Sequence, residues 1–284
     1  MARIAYVNGC YLPIDAPAIQ IEDRGFQFSD GVYEVWLVRD GQFLDHAGHL
    51  ERLKRSLGEL RIDLPMSDAA LDVALRETLR RNRLGDALVY LQVTRGAARR
   101  DHAFPLKPVR PTIVITVRPA PRAPLAARAE TGIGVITAND IRWKRCDIKS
   151  ISLLPNVLAK QAAREAGAFE AWLINADGEV TEGSSSNAWI VTGEGALVTR
   201  PAGDDILNGI TRQRIIRIAA AQGLRLEERA FTVEEALSAR EAFISSATSM
   251  VMPVVSIDGR PVANGAPGSL AGALRESYEA GEQA

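Results

Sequence analysis

Only five of the chain's 34 basic residues are lysines, at positions 54, 107, 144, 149 and 160, so lysine chemistry has few candidates. A lysine becomes a nucleophile when desolvation or nearby cations lower its pKa. Lys54 and Lys160 sit on helix flanks and Lys107 lies between prolines, which is the setting of solvated side chains. Lys144 and Lys149 fall in the polar stretch IRWKRCDIKS. Alternation there sets Cys146 and Ile148 opposite Asp147 and Lys149.

Four other stretches carry chemistry-bearing residues. TEGSSSN (181–187) puts the Glu182 carboxylate before three serines. Taken alone it is a polar turn; beside a ligand, its hydroxyls and N–H groups would face that ligand. LNGITRQRII (207–216) is an Asn/Gly/Thr helix start. Its free N–H groups at Ile210 and Thr211 suit an anion as well as an ordinary cap. In TRGAARRDHAFP (94–105), Arg100 and His102 are two apart and would point the same way from an extended loop. They are either solvated charge or a fork for a carboxylate. In EDRGFQFSDGVYEV (22–35), Gly25 and Gly31 bracket a polar turn that leads into a strand and places Tyr33 near its start.

The elements that must position these groups follow from periodicity. IAYV, Asn8-Gly9 and a second short run read as a hairpin, as do VYEVWLVR, Asp40-Gly41 and QFL. HLERLKRSLGEL puts Leu50, Leu53, Leu57 and Leu60 on one helical face. Ser67 caps a second helix, ALDVALRETLRRN. ALVYLQVT and TIVITVR are buried-type strands. PAPRAPLAARAETG (119–132) has no apolar period and reads as a linker between two α/β domains. Beyond it lie strand-like IGVITA and a helix over LPNVLAKQAAREAG (154–167) with a Gly stop. FEAWLIN and an Asp177-Gly178 turn lead into EVTEGSSSNAWIV. A helix begins near Gly209 and runs through TRQRIIRIAAAQG, and TVEEALSA (232–239) is a short capped helix. AFISSATSMVMPVVSI is strand, Ser/Thr-rich break and strand, and GSLAGALRESYEAG holds a final helix.

Composition narrows the classes. The 284 residues, 46% hydrophobic and 24% charged, suit a globular protein of two domains. A formal net charge of −1 gives no field for nucleic acid. Two cysteines and three histidines make neither a disulfide framework nor a zinc site, and the expected setting is the reducing cytoplasm. No signal-peptide core and no apolar run of about 18 residues is present. Neither GxGxxG nor GxxxxGK[ST] occurs, so a nucleotide role loses its support.

Taken in order, EDRGFQFSDGVYE, HLERL, VTRG with Arg100-x-His102, RCDIKS, TEGSSSN, NGITR and a late Ser/Thr run resemble the class IV aminotransferases. These are the fold-type IV pyridoxal-phosphate enzymes, and the resemblance spans nearly the whole chain. It implies an α/β fold of the α+β type. A smaller N-terminal α/β domain (1–119) and a linker (120–131) precede a larger β-rich, cofactor-binding domain with helices (132–284). By the same resemblance, Lys149 matches the lysine that forms the Schiff base with pyridoxal 5'-phosphate. Glu182 matches the partner of the pyridine nitrogen. Arg52, Ile210, Thr211, Ser246 and Ala247 match the groups around the phosphate. Tyr33, Arg100 and His102 match the trap for the substrate carboxylate.

The Arg-x-His pair is a feature of the D-amino-acid-specific members. It implies ping-pong transfer from D-alanine to 2-oxoglutarate, giving pyruvate and D-glutamate. It also implies a homodimer in which loop 94–105 reaches the partner's site. Two departures bear on substrate range: Ser246-Ala247-Thr248 stands where the D-specific members have Thr-Thr after the serine, and Met250 where an acidic residue is common. A branched-chain L-amino-acid aminotransferase or an aminodeoxychorismate lyase is the alternative within the fold. Outside it, a two-domain anion-binding module would use the NGITR start and leave Lys149 structural.

Overall fold

The computed structural model describes residues 3–16 and 18–281. Its contacts divide the chain into two units. The first holds residues 1–121 and also 148–152, and the second holds 122–147 and 153–284. The five residues around Lys149 thus belong to the first unit, while the chain on both sides of them belongs to the second.

In the first unit, β1 (Ile4–Val7), β2 (Cys10–Pro13), β3 (Gly31–Arg39), β4 (Gln42–Phe43), β5 (Ala87–Thr94) and β6 (Thr112–Pro119) form one antiparallel sheet. Its order is β2-β1-β6-β5-β3-β4. The first hairpin turns at Asn8-Gly9, where both residues take positive φ (48° and 101°), as a tight two-residue turn requires. Helices α2 (His46–Glu59) and α3 (Asp68–Asn82) supply Leu53, Leu57, Leu71 and Leu75 to the core over this sheet. Ser67 caps α3 as its type predicts, accepting from the Ala70 N–H. On β3 the core face carries Val32, Trp36 and Val38. Period-two alternation puts Glu34 on that same face and Tyr33 on the other.

The second unit is built on a nine-stranded mixed sheet. Its strands are β7 (Ile133–Asn139), β8 (Glu170–Ile174), β9 (Val180–Gly183), β10 (Asn187–Val191), β11 (Leu197–Thr199), β12 (Leu226–Glu228), β13 (Glu241–Ser246), β14 (Met250–Ile257) and β15 (Arg260–Pro261). The order is β12-β11-β10-β13-β14-β7-β8-β9, with β15 paired to β14. Both faces are covered. Ala188, Ile190, Met252 and Val254 pack with Trp172 and Phe231 on one. Trp189 stacks on Phe243 on the other, against α6 (Ile210–Ala221) and α8 (Ser269–Ala280). Burial on both sides explains why NAWIV and EAFIS are nearly continuous apolar runs.

The structure departs from the sequence reading in several places. The stretch read as a linker contains helix α4 (Arg122–Thr131). Leu125 and Ala129, four apart, lie against the second unit's core, so tertiary packing supplies what the weak period does not. The one-turn helix α1 (Arg24–Phe28) sits in what reads as a polar turn, and the short strands β11, β12 and β15 lack a clear period. Residues 146–148 are all buried and form a turn, so the alternation expected around Lys149 is absent. Two further helices, α5 (Leu154–Glu165) and α7 (Val233–Ser238), lie where periodicity places them.

The loop between β5 and β6 leaves the sheet at Gly96, whose φ is +100° and whose added Cβ would lie 2.1 Å from the Arg110 carbonyl oxygen. Gly96→Ala is expected to cost about 1–3 kcal/mol for the backbone alone, with the clash in addition. Urea unfolding measures this; a wild-type midpoint would contradict it.

Candidate active site

Lys149 is held by its backbone. Its N–H donates to the Ser56 hydroxyl (3.2 Å), and its carbonyl accepts from the Tyr33 N–H (3.0 Å). Ser150 bridges to Val32, so the 148–152 segment lies along the start of β3. The Lys149 Nζ stands 4.2 Å from the centroid of the Tyr33 ring. Tyr33 in turn stacks on Tyr90, at 5.7 Å between centroids. Burial, with some repulsion from Tyr33, pushes the Tyr90 hydroxyl up to about 12, so that phenol stays neutral.

On the opposite face of β3, Glu34 is fully buried and fixes Arg52. Arg52 donates from Nε (2.7 Å) and Nη2 (2.8 Å) to the two Glu34 oxygens, and His49 Nδ1 lies 2.7 Å from the same carboxylate. Burial works against the Glu34 charge. The Arg52 charge and the hydrogen bonds of Arg52 and His49 outweigh it and hold the carboxyl far below its usual range. The four leucines read from the sequence do face the core, Leu53 and Leu57 buried and Leu50 and Leu60 packed against it, but the fully buried stripe of α2 also takes in His49 and Ser56. Its two polar members serve Arg52 and Lys149.

Arg100 and His102 are exposed, and both gather on one ring. The Arg100 guanidinium lies 5.1 Å, and the His102 ring 5.4 Å, from the Phe28 centroid. They point the same way, as their spacing predicts.

In the second unit, Glu182 is buried at the end of β9. One oxygen accepts from Arg142; the other accepts from the Asn187 amide (3.0 Å) and the Leu207 N–H (3.1 Å). Arg142 is itself forked onto Asp140, at 2.9 and 2.7 Å. Asn187 links the remaining groups. Its backbone pairs with Ser245 on β13, next to Ser246 and Ala247. A Cβ on Gly209 would fall 2.1 Å from its amide oxygen, so glycine lets the α6 start approach it closely. Ile210 and Thr211 open α6, buried, with no side chain capping its first turn. After β13, the Ser246 hydroxyl accepts from the Ser249 N–H (3.1 Å), which folds 246–249 into a tight turn.

The serine hydroxyls of TEGSSSN are engaged within the protein. The hydroxyls of Ser184, Ser185 and Ser186 all turn onto the buried carboxylate of Glu170. In the second unit, the Cys146 thiol is pushed up to about 12 by burial and remains protonated, so it is no ready nucleophile. Among the described residues no group of His, Cys, Asp and Glu is placed to hold a metal, and no helix is long and apolar enough to cross a membrane. Sequence reasoning missed Glu34, Ser56, Arg142 and Asn187. Only Glu34, a charge on the core face of an apolar strand, left a local signal.

Glu34 and His49 both bind fewer protons folded than unfolded, because His49 is held neutral chiefly by burial. Stability is therefore expected to be full above pH 6.5 and to drop below it through His49, then again below 4.5 through Glu34. Glu34→Gln should shrink the second drop, to which Asp140 and other paired carboxylates also contribute, and cost about 3–5 kcal/mol at neutral pH by stranding Arg52. Unfolding midpoints between pH 8 and 3 test this; a flat profile would refute it.

The sequence and fold were compared with known proteins. The family model for amino-transferase class IV matches residues 31–257. The D-alanine aminotransferase of Bacillus licheniformis is 44% identical over 93% of this chain and 91% of its own length. That of Staphylococcus epidermidis is 40% identical over 96% of each. Among solved structures, the T.th. branched-chain amino acid aminotransferase with pyridoxamine 5'-phosphate superposes with a TM-score of 0.89. Its identity is 25%, and the match covers 98% of this chain and 93% of that one. The chain belongs to the class IV aminotransferases.

Proposed function

We propose that this aminotransferase uses pyridoxal 5'-phosphate to move the amino group of a D-amino acid, D-alanine foremost, to a 2-oxo acid such as 2-oxoglutarate. The observation that carries the D-amino-acid reading is the match to D-alanine aminotransferases over nearly the full length of the chain. The branched-chain enzymes share the fold at lower identity and fit less well.

The residues present fit the cofactor. The uncapped N-terminus of α6, at Ile210 and Thr211, offers backbone donors to a dianionic phosphate, and the turn at Ser246 and Ala247 follows directly on Ser245, the strand partner of Asn187. Arg52, oriented by Glu34, adds a fixed cation. Glu182 presents a carboxylate suited to a protonated ring nitrogen. When bound, the cofactor supplies an electron sink for the pair of electrons left when the α-proton departs.

Lys149 is the attachment point and the proton carrier. Its Nζ would take the proton from the substrate α-carbon and hold it for return. The Ser56 and Tyr33 hydrogen bonds fix its backbone for that reach. Tyr33, Arg100 and His102 hold the substrate carboxylate, so that a D-amino acid turns its α-hydrogen toward Lys149. The enzyme acts as a homodimer in the cytoplasm, with loop 94–105 serving the partner's site. Supporting this, Arg100 and His102 are exposed in the single chain. Large apolar side chains are also exposed in each unit: Ile21, Phe26 and Leu106 in the first, Leu154, Val157 and Leu158 in the second. Both described cysteines are free thiols.

A donor panel tests the assignment. D- and L-alanine, D- and L-glutamate and L-leucine are each mixed with the loaded enzyme while the cofactor spectrum is followed. D-alanine should convert the cofactor and L-leucine should not. Conversion by L-leucine alone would establish the branched-chain alternative, and release of pyruvate from aminodeoxychorismate would establish the lyase. Lys149→Ala should abolish the bound cofactor's visible band and slow transamination by about 10²–10⁴-fold. A variant that keeps both would remove Lys149 from the mechanism.

A further inference from the structure

We propose that Arg24 is a positioning residue for the substrate carboxylate, acting through the backbone of the loop that carries Arg100 and His102. The inference rests on the carboxylate-binding reading of that pair.

The segment before α1 is zipped to the base of the loop. The Arg24 N–H donates to the Gly96 carbonyl (2.9 Å), and the Ala98 N–H to that of Glu22 (3.2 Å). Asp23 caps α1 through the Gly25 N–H (2.8 Å) and accepts from the Thr94 hydroxyl (3.0 Å) at the end of β5. The loop's departure point is thereby tied to the EDRG segment.

The Arg24 side chain then reaches the tip. It is only 3% exposed, although the residues it holds are on the surface. Nε donates to Asp30 (2.8 Å). Nη1 donates to the carbonyls of Asp101 (2.6 Å) and Ala103 (3.3 Å), and Nη2 to that of His102 (3.3 Å). Three successive carbonyls converge on one buried cation. Arginine's rigid, always-charged fork of donors can hold such a set in one geometry. Asp30 is secured from the other side by Arg95, through Nε (2.7 Å) and Nη2 (3.0 Å). The Arg95 guanidinium also lies 3.6 Å from the Phe104 ring centroid, so one carboxylate secures both Arg24 and the loop's C-terminal flank.

Phe28 completes the arrangement. The Arg24 guanidinium is 4.9 Å from its ring centroid, and the Arg100 guanidinium and His102 ring are 5.1 and 5.4 Å from it. The ring is a platform that keeps both side chains on one side of the loop. An exposed loop of polar residues has no packing of its own to choose that arrangement. Arg24 chooses it for the main chain, and Phe28 for the side chains.

The test is steady-state and half-reaction kinetics on the loaded enzyme, with D-alanine and 2-oxoglutarate, for Arg24→Gln, Phe28→Leu and the reference variant Arg100→Ala. Arg24→Gln should raise the KM for D-alanine about tenfold or more, with a smaller fall in kcat, because a misplaced positioning group weakens substrate binding. The cofactor absorbance and the half-reaction rate with 1-aminopropane, an amine with no carboxylate, should stay at the wild-type level. Phe28→Leu should raise the same KM, and it decides the matter if Arg24→Gln does not fold. A wild-type KM in the folded variant, while Arg100→Ala raises it, overturns the role of Arg24 alone. So does an equal slowing with 1-aminopropane, which would mark a general structural defect. A wild-type KM in Arg100→Ala overturns the carboxylate reading and this inference with it.

Discussion

A buried carboxylate must be paired and hydrogen-bonded, and in this protein that requirement organises the site. An ionised carboxylate taken from water without compensation costs several kcal/mol. Glu34 in the first unit and Glu170 and Glu182 in the second are three such groups, and Asp30 in the first unit, its side chain 10% exposed, is nearly a fourth. Each has gathered polar or charged partners around itself. Asp30 holds Arg24 and Arg95. Glu34 holds Arg52 and His49. Glu170 gathers three serine hydroxyls, and Glu182 engages Arg142, Asn187 and the Leu207 N–H.

The partners of these carboxylates are spread along the chain, and this ties local chemistry to the fold. Arg52 lies 18 residues from Glu34, and the Leu207 N–H lies 25 from Glu182. Neither pair exists until the sheet and helices are in place. In return, the charges secure the places where backbone must stay irregular: the 94–105 loop, the serine turn and the start of α6. These segments have little apolar packing of their own. Asn187 shows the economy of the arrangement. One side chain braces Glu182 and packs against Gly209, while its backbone joins β10 to the strand that ends at Ser246.

The parts of this design that are local were legible in the sequence. The hairpin at Asn8-Gly9, the Ser67 cap and the helix start after Gly209 each follow from a few adjacent residues. Motif order alone pointed to the fold-type IV class that the comparisons establish. What stayed hidden depends on partners far away. Ser56 looks like a polar interruption in α2 until Lys149 is seen on it. The serines of TEGSSSN look like a ligand-facing row until Glu170, some 14 residues earlier, claims their hydroxyls. Helix α4 has too weak a period to announce itself, and Leu125 and Ala129 reveal it only against a core assembled from later strands. Glu34, a charge on the core face of an apolar strand, was the one local hint, since functional sites are where patterning rules are broken.

The bias against lysine acquires a physical meaning in this setting. The cations that compensate Asp30, Glu34 and Glu182 are all arginines: Arg24 and Arg95, Arg52, and Arg142. An arginine keeps its proton at any working pH, and Asp140 and Glu182 push that of Arg142 higher still against the opposing effect of burial. Such a cation can orient and neutralise but cannot pass a proton on. Lys149 stands apart from all of them. It is half-buried, its backbone is fixed from two sides, and its amine lies over the Tyr33 ring rather than in a salt bridge. Arginines thus hold three of the four carboxylates and Lys160 approaches the fourth, Glu170, at 3.4 Å, while the Lys149 amine is left over the Tyr33 ring.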